Sequence, residues 1–499
     1  MRLSPGLTLA VLLASLIGLA WLALPRTTSP GVEGRVLTDE GPITGARVRF
    51  KGTETITRTD AHGRFHLPYA PSGRRVTVWK EGYFIGGVRS TASPLAIQLT
   101  RLPAEDNPTY EWVDPTPNDA TIHNCANCHA EIYREWSSSG HAHSVTGRHF
   151  RNLYEGTDWN GKPGVGWGLL TQYPDGGGVC ASCHAPASTK YDLRQVKGVA
   201  SQGVHCDYCH KIAAVANGPL GLTHGRFNLR LLRPADGQLF FGALDDVDRN
   251  EDAYSPLYRD SRYCASCHEG VVFGVHVYST FSEWQVSPAR REGKQCQDCH
   301  MKPTGRMTNM APGHGGIERD PRALSNHRFF DESQETMLRR AVKVSATFER
   351  SAGGVRARVR VRAEGVGHRL PTGFIDRHLV LVAEGQGADG RTLAALSGPR
   401  LPALAGLELA GQPGRLYARV LRDFDGHSPT PFWLAAPDPP PDTRLVPGKI
   451  EEMTFEFPPT LTRLCVRILY RRFWPEVARA KHWPDRDLLI YDERFVSSP

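Results

Sequence analysis

The sequence predicts a multidomain chain with a small N-terminal β-sandwich, a central domain that is mostly irregular or α-helical, and a C-terminal β-rich, sandwich-like domain. Three observations support this fold class. The 499 residues exceed what one hydrophobic core holds, ten of the 11 cysteines fall in a central stretch, and alternating apolar and polar residues mark the flanking segments. The 50 glycines and 37 prolines indicate many turns and few long helices.

The first segment, "MRLSPGLTLAVLLASLIGLAWLALPR", has one arginine and then an uncharged, mostly apolar run from Leu7 to Leu24. This run is long for the core of a signal peptide and barely long enough to span a bilayer, and no clear small-residue cleavage site follows it. We therefore expect residues 1–27 to form an uncleaved N-terminal membrane anchor, with a cleaved signal as the alternative. Both interpretations place the rest of the chain outside the cytoplasm.

Residues 31–101 are expected to form the small β-sandwich. Apolar and polar residues alternate in "GRVLTDEGPITGARVRF" (34–50) and "RRVTVWKEGYF" (74–84), and a turn precedes the short strand in "TDAHGRFHL" (59–67). These segments resemble the carboxypeptidase regulatory-like domain, and the resemblance implies a non-catalytic spacer or adhesion module. The polar, proline-rich residues 102–119 are expected to be a linker.

The central domain, residues 120–335, contains the pentapeptide C-x-x-C-H five times. Chance placement would give about 0.01 copies. Disulfides do not require a histidine after the second cysteine, zinc sites use four ligands, and thioredoxin-like chemistry needs a single C-x-x-C. Covalently bound haem c explains every part, because two thioether bonds hold the porphyrin and the adjacent histidine is the proximal iron ligand.

Five covalently bound haem c groups are therefore predicted, which makes the central domain a multihaem domain. The expected thioether residues are Cys125, Cys128, Cys180, Cys183, Cys206, Cys209, Cys264, Cys267, Cys296 and Cys299. The expected proximal ligands are His129, His184, His210, His268 and His300. Five macrocycles in so short a stretch are expected to lie close together.

The second axial position of each iron decides between electron transfer, when a second histidine closes it, and small-molecule chemistry, when it stays open. The leading candidates for this distal position are His141, His224, His276, His314 and His327. His205 and His123 lie just before a first cysteine and are held in reserve, followed by His143 and His149. Met301, Met307 and Met310 are possible sulfur ligands, although contact with a ring is favoured for them.

Two short stretches, "EWSSS" (135–139) and "EWQVS" (283–287), are nearly repeated, which indicates duplication of a haem-binding unit. Trp136 and Trp284 are expected to pack against macrocycles. The acidic run "LDDVDRNED" (244–252) is a possible calcium site, but a solvated loop is favoured for it.

The C-terminal region, residues 340–499, is expected to be the second β-sandwich. "GVRARVRVRAEG" (354–365) places valines and an alanine on one face and four arginines on the other, which is typical of a half-buried strand. The arginine row is expected to be solvated, with haem propionates as alternative partners. A short helix is expected near residues 475–481, and Cys465 is expected to be a buried free thiol.

The formal net charge is +8. Five haems carry about ten propionate carboxylates, so an excess of basic residues would neutralise the cofactors. No lysine- or arginine-rich block with interleaved aromatic residues is present, and nucleic-acid binding is therefore not expected.

The haem region resembles the cytochrome c-552/c-554 type of multihaem cytochrome c. The matching stretches are "CHAEIYREWSSSGHA", "GVHCDYCHKI", "EWQVSPARREGKQCQDCHM", "NHRF" and "GHRLPTGF". The resemblance implies electron transfer through closely stacked, mostly bis-histidine haems, and its W-x-x-S-x-H pattern makes His141 the leading distal candidate. Type members carry four haems, whereas this chain has five motifs. The C-x-x-C-K motif of the pentahaem nitrite reductases is absent.

These observations predict an extracytoplasmic electron-transfer protein rather than a catalyst. The expected partners are other cytochromes or a membrane quinol-linked donor, together with a redox acceptor. One alternative is an oxidoreductase that acts on a small nitrogen or sulfur compound at a five-coordinate haem. Another is a subunit of a polymeric haem wire, in which His368 would ligate the iron of a neighbouring chain.

Overall fold

The computed structural model describes residues 31–68, 73–91, 94–120, 123–176, 178–216, 221–329, 334–437 and 441–497. The predicted anchor, residues 1–27, lies outside this range. The described chain has several β-sheets and short helices in a multidomain layout, which confirms the coarse fold class. Within the described ranges, no helix has the length and apolar character needed to cross a membrane.

The chain divides into two compact units. The first comprises the residues up to Leu102 together with Leu244–Tyr254, and the second comprises Pro103–Ala243 and Ser255–Pro499.

The first unit contains two four-stranded sheets, with strand orders β2-β1-β5 (β8 pairs with β1) and β4-β3-β6-β7. Both sheets contribute to one apolar core, in which Val36, Val48 and Val76 are fully buried. The strands are β1 Val32–Thr38, β2 Gly41–Pro42, β3 Arg47–Phe50, β4 Ile56–Arg58, β5 Arg64–Leu67, β6 Arg75–Trp79, β7 Gly86–Arg89 and β8 Leu95–Gln98.

The acidic segment 244–254 folds with this unit. Asp245 contacts Arg49 at 2.6 Å, and Asp248 accepts a hydrogen bond from Lys51 at 2.9 Å. Asp246 accepts from the backbone N–H of Gly52 at 2.7 Å. All three carboxylates are buried. The expectation of a solvated loop is therefore wrong, because the sheet that carries β3 supplies cationic partners which compensate burial of these charges.

In the second unit, each C-x-x-C-H motif forms or ends a short helix between irregular segments. The helices are α1 Cys125–Cys128, α2 Ala130–Ser137, α3 Arg148–Glu155, α4 Leu169–Gln172, α5 Cys180–His184, α6 Cys206–His210, α7 Arg262–His268, α8 Thr280–Gln285, α9 Pro288–Arg291, α10 Cys296–His300, α11 Gln334–Arg340 and α12 Pro475–Ala480. Short strands lie between them: β9 Ile212–Val215, β10 Leu229–Leu231, β11 Phe240–Gly242, β12 Asp252–Tyr254 (which belongs to the first unit), β13 Glu269–Val272 and β14 Val275–Ser279.

The C-terminal part has a three-stranded sheet, β15-β16-β20, and a five-stranded sheet, β18-β17-β21-β22 with β19 paired to β17. Both face one apolar core. The strands are β15 Val342–Ser351, β16 Gly354–Ala363, β17 His378–Gln386, β18 Thr392–Leu393, β19 Gly414–Tyr417, β20 Ile450–Phe457, β21 Arg463–Arg471 and β22 Leu488–Val496.

Strand β16 has the predicted half-buried pattern. Val355 and Val359 are fully buried, whereas Arg356 and Arg360 face outward and pair with glutamates of β20, each at 2.7 Å. The arginine row therefore has partners inside its own sheet. The predicted short helix is present as α12, and Cys465 is buried as expected.

The haem region and the C-terminal strands share an apolar core within the second unit. Leu153 and Tyr154 of α3 belong to the same buried cluster as Val380 and Trp474. The segment expected to be a linker also packs here, because the Trp112 indole donates to the Ala187 carbonyl at 3.1 Å. The motif helices are thus held in a scaffold built from several distant stretches of sequence.

Candidate haem sites

Four of the five motif histidines are oriented by a backbone carbonyl. The Nδ1 atoms of His129, His184, His210 and His300 hydrogen-bond to the carbonyl oxygens of Met310 (2.9 Å), Ser144 (2.6 Å), Phe241 (2.6 Å) and Phe329 (3.0 Å). A hydrogen bond from Nδ1–H to a carbonyl fixes the tautomer and leaves Nε2 as the ligand atom. This orientation would suit the expected role of these rings as proximal iron ligands.

The cysteines of different motifs come together. The thiol of Cys206 interacts with that of Cys125, and the thiol of Cys267 interacts with that of Cys183. Cys264 in turn interacts with Cys296. The fourth motif, which carries Cys264 and Cys267, thus adjoins both the second and the fifth.

Two tyrosines connect the third motif to the fourth. The hydroxyls of Tyr258 and Tyr263 donate to the Cys209 carbonyl at 2.6 and 2.9 Å, and Tyr263 lies in α7, the helix of the fourth motif. With the thiol contacts above, this arrangement joins all five motifs into one continuous group with the fourth motif at its centre.

His141 lies opposite His268, with ring centres 6.2 Å apart and planes at 80°. Bonds from metal to imidazole nitrogen are about 2 Å, so two imidazoles on opposite sides of one metal have ring centres roughly 6 Å apart. The spacing fits two axial ligands of one iron. The ring of Phe329 packs edge-on against His141 at 4.1 Å and restrains it.

His300 and His368 form a second pair of facing imidazoles. Their ring centres are 6.3 Å apart, and their planes differ by 22°. The separation is too long for direct stacking and matches that of His141 and His268.

The first imidazole pair lies where the charged form of histidine is disfavoured. Burial lowers the pKa of His268 to about 4 and that of His141 to about 3, with neighbouring histidines adding to both shifts. The His268 side chain is nevertheless exposed, and His141 is partly so.

His327 lies beside the first and third motifs. Its pKa is lowered to about 4 by burial first and then by the charges of His210 and His129. Its backbone N–H donates to the Glu135 carboxylate at 2.9 Å. Two residues later, Phe329 has a positive φ of 64°, an uncommon conformation for a bulky residue that the surrounding contacts must enforce.

Two distal candidates have other partners. His276 Nε2 hydrogen-bonds to Glu269 Oε1 at 2.5 Å across the β13–β14 hairpin, so its ligand atom is engaged. His205 Nδ1 accepts from the Tyr208 N–H at 3.3 Å and caps α6. Because the proton of a neutral ring then resides on Nε2, His205 has no free Nε2 lone pair for iron in this arrangement.

The remaining candidates are spread around the domain. His224 is partly buried beside the second motif. The next residue, Gly225, has φ 59°, and a Cβ on it would lie 2.3 Å from the Ser182 carbonyl oxygen. Only glycine fits at position 225. His123, His143 and His314 are exposed. His149 pairs with Asp485 and stacks on Phe473 with ring centres 5.2 Å apart.

Sequence reasoning considered His368 only as a ligand for a neighbouring chain, whereas its ring faces His300 of its own chain. The dipeptide His-Arg, shared by "NHRF" and "GHRL", was the available signal. The expected ring contacts of Trp136 and Trp284 stay predictions. Their indole N–H groups donate to the Val204 and Lys294 carbonyls at 2.9 and 3.0 Å.

Comparison with solved structures finds similarity to the penta-heme cytochrome c552 from Thermochromatium tepidum. The TM-score is 0.54 at 22% sequence identity, and the alignment covers 75% of this chain and 97% of that chain. The aligned part of the chain therefore shares the fold of that cytochrome. No protein-family model matches the sequence, and comparison with the curated proteins finds no match.

The expected relation to multihaem cytochromes c is thereby confirmed at the level of the fold. The carboxypeptidase regulatory-like assignment of residues 31–101 stays a prediction.

Proposed function

We propose that this protein is an extracytoplasmic pentahaem cytochrome c that carries single electrons through closely packed haems. The ten motif cysteines would hold the five haems, and the five motif histidines would be their proximal ligands. The N-terminal segment would tether the protein to the membrane. Its partners would be a membrane quinol-linked donor or another cytochrome on one side and a redox acceptor on the other.

The observation that carries this proposal is the contact between motifs. Cysteines interact between the first and third motifs, the second and fourth, and the fourth and fifth. Tyr263 joins the third motif to the fourth, because its hydroxyl donates to the Cys209 carbonyl at 2.9 Å. Cofactors anchored at such cysteines have their thioether edges side by side. Haems so close together would let electrons pass from one ring to the next, which an electron carrier requires.

Haem c, when bound, supplies an iron that alternates between the ferric and ferrous states. The residues of this chain hold and tune that group. Backbone carbonyls orient four proximal rings, and the His141 ring is placed opposite His268 so that the iron between them would be closed to small molecules. Two nitrogen ligands favour a low-spin iron that changes little on reduction.

The test is a one-electron photoreduction of the haem-loaded full chain, followed by absorbance. We expect the electron to redistribute over the haems in a fast phase whose rate does not depend on protein concentration. A redistribution rate that rises with protein concentration would contradict the proposal, because it would mean that electrons pass between molecules rather than along the chain.

A matched pair of double variants tests whether the fourth motif is the centre of the group of five motifs. Replacing both cysteines of the fourth motif (Cys264→Ala with Cys267→Ala) is expected to slow redistribution, because the second and fifth motifs contact the rest through it. Replacing both cysteines of the first motif (Cys125→Ala with Cys128→Ala) is expected to leave redistribution over the remaining haems fast. Equal slowing in the two variants, with unchanged circular dichroism, would contradict the proposed connectivity.

A further inference from the structure

The segment "GHRLPTGF" (367–374) crosses from the C-terminal strands to the haem region. Leu370 and Leu445 exchange backbone hydrogen bonds of 2.9 and 3.0 Å, which fix the segment to the β-rich part. On its other side, Gly367 packs so closely on α8 that a Cβ would lie 3.3 Å from the Trp284 ring. The segment is therefore a built connection and not a free loop.

Glu283 of α8 accepts two hydrogen bonds from this segment and forms an ion pair with Arg444. It accepts from the Arg369 N–H at 3.1 Å and from the Thr372 hydroxyl at 2.8 Å, and it pairs with Arg444 at 2.6 Å. Arg444 also donates to the Pro371 carbonyl at 3.2 Å. Both charged side chains are buried, where such bonds are strong and directional. The backbone that carries His368 is thus fixed against the helix that precedes the fifth motif.

The His368 ring is prepared as a ligand. Its Nδ1 hydrogen-bonds to the Arg369 carbonyl at 2.9 Å, which turns Nε2 the other way. The proximal ring of His300 is held in the same manner by the Phe329 carbonyl. The two ring centres are 6.3 Å apart, near the spacing of about 6 Å that two imidazole ligands of one metal require.

An internal repeat gives independent support. Trp136 and Trp284 each donate to the carbonyl two residues before the first cysteine of a motif, at Val204 for the third motif and Lys294 for the fifth. The preceding glutamate accepts a backbone N–H from a His-Arg dipeptide in both copies, from His327 in the first copy and from Arg369, one residue further along, in the second. These dipeptides are His327-Arg328 with Glu135 and His368-Arg369 with Glu283.

The same arrangement extends to the cysteines. Cys125 interacts with Cys206 in the first copy, and Cys264 interacts with Cys296 in the second. His368 thus lies beside the fifth motif as His327 lies beside the third, with the hydrogen bond to the glutamate shifted by one residue.

We propose that His368 is the second axial ligand of the haem bound at Cys296, Cys299 and His300. This inference rests on the proposed function, since it requires haem at the fifth motif. It makes the C-terminal β-rich part a direct contributor to the haem centre, and it closes the fifth iron within a single chain.

The test compares His368→Ala with wild type in the oxidised, haem-loaded full chain by electron paramagnetic resonance, alongside a haem-per-chain assay. We expect one low-spin haem per chain to become high-spin and added imidazole to restore it. The 22° angle between the ring planes predicts that the lost signal is an ordinary rhombic one, whereas the 80° pair of His141 and His268 would give a strongly anisotropic signal.

A second variant covers the case in which His368→Ala fails to fold or to load haem. His368→Met retains a ligand, and a thioether in place of imidazole is expected to raise the reduction potential of one haem. The control is His427→Ala, since His427 is exposed and paired with Asp423. This control is expected to leave the spectra and potentials unchanged.

The outcomes separate the two proposals. Five haems per chain with an unchanged low-spin spectrum in His368→Ala would overturn the ligand assignment and leave the proposed function intact. Unchanged potentials of every haem in His368→Met would overturn it as well. Fewer than five haems in wild type would instead overturn the proposed function.

Discussion

At the scale of single residues, the ion pair between Arg444 and Glu283 is central to the second unit. The Arg444 side chain is 6% exposed and contacts Glu283 at 2.6 Å and Asp442 at 2.8 Å. Arg444→Met leaves the buried Glu283 carboxylate without its paired cation, which is expected to lower the apparent free energy of unfolding by about 3–5 kcal/mol. Urea unfolding followed by fluorescence measures the change.

The matched control for that prediction is Arg358→Met on the outer face of β16. The Arg358 side chain is 37% exposed, against 6% for Arg444, and it pairs with Glu349 at 3.0 Å. Its replacement is expected to change stability by less than about 0.5 kcal/mol. Equal changes in the free energy of unfolding for the two replacements would show that burial of the Arg444 ion pair does not increase its contribution to stability.

The buried carboxyl of Asp376 is expected to make the stability of the fold depend on pH. It is buried, its Oδ2 has no hydrogen-bond partner, and burial raises its pKa from 3.8 to about 7. Because the folded pKa lies above the unfolded one, the unfolded chain releases this proton first, and stability falls as the pH rises from about 4 to about 7.

The variant Asp376→Asn isolates this effect from other titrating groups. In wild type this carboxyl is expected to lower the free energy of unfolding by about 1.4 kcal/mol per pH unit within that window, and the variant is expected to lack this decline. The difference in free energy of unfolding between variant and wild type is measured by urea unfolding at several pH values. A difference that stays constant across the window would mean that the carboxyl is not held protonated.

At the scale of elements, strand β7 depends on a close approach by the acidic segment. A Cβ on Gly87 would lie 1.8 Å from the Asp248 carboxylate, which pairs with Lys51 at 2.9 Å. Gly87→Ala is therefore expected to displace Asp248 and to destabilise the first unit by about 1–3 kcal/mol. Limited proteolysis of the haem-loaded protein is expected to cleave the segment 244–254 faster.

Gly242→Ala, at the end of β11 and just before the acidic segment, is the control, because a Cβ there would meet no atom within 4 Å. It is expected to leave the proteolysis rate unchanged. If Gly87→Ala behaves in the same way as Gly242→Ala, the close packing of Asp248 does not stabilise the unit.

The local elements were the part of the fold that the sequence could predict. Strand β16 follows from its alternation, and helix α12 from its sequence pattern. Contacts between distant residues were not predictable. His276 lies in an apolar run that indicated a ligand, but its partner Glu269 comes from the opposite strand of a hairpin. The aspartates of 244–254 appeared solvated by composition, and only the fold brings Arg49 to them.

The same limit applied to the candidate site. The covalent and proximal residues follow from the motif itself, because cysteine pair and histidine are adjacent in sequence. The candidates for the distal position come from remote segments, and the partner of each Nδ1 decides whether Nε2 of that ring is free. His205 and His141 were both distal candidates, yet His205 caps a helix and His141 faces His268.

At the scale of the whole molecule, the motifs form one connected group with the fourth at its centre. The first motif reaches it through the third, and the second and fifth contact it directly. The C-terminal strands complete the scaffold around this group. An electron entering at any motif would therefore have a continuous route to the others.

The number of haems covalently bound to one chain tests the account most directly. The measurement is the mass of the denatured protein, purified from the extracytoplasmic fraction of a host that attaches haem c, together with its pyridine haemochrome absorbance. The account predicts a mass above that of the polypeptide by five haems and a matching absorbance. A mass equal to the polypeptide alone, or zinc in place of iron in the native protein, would contradict it.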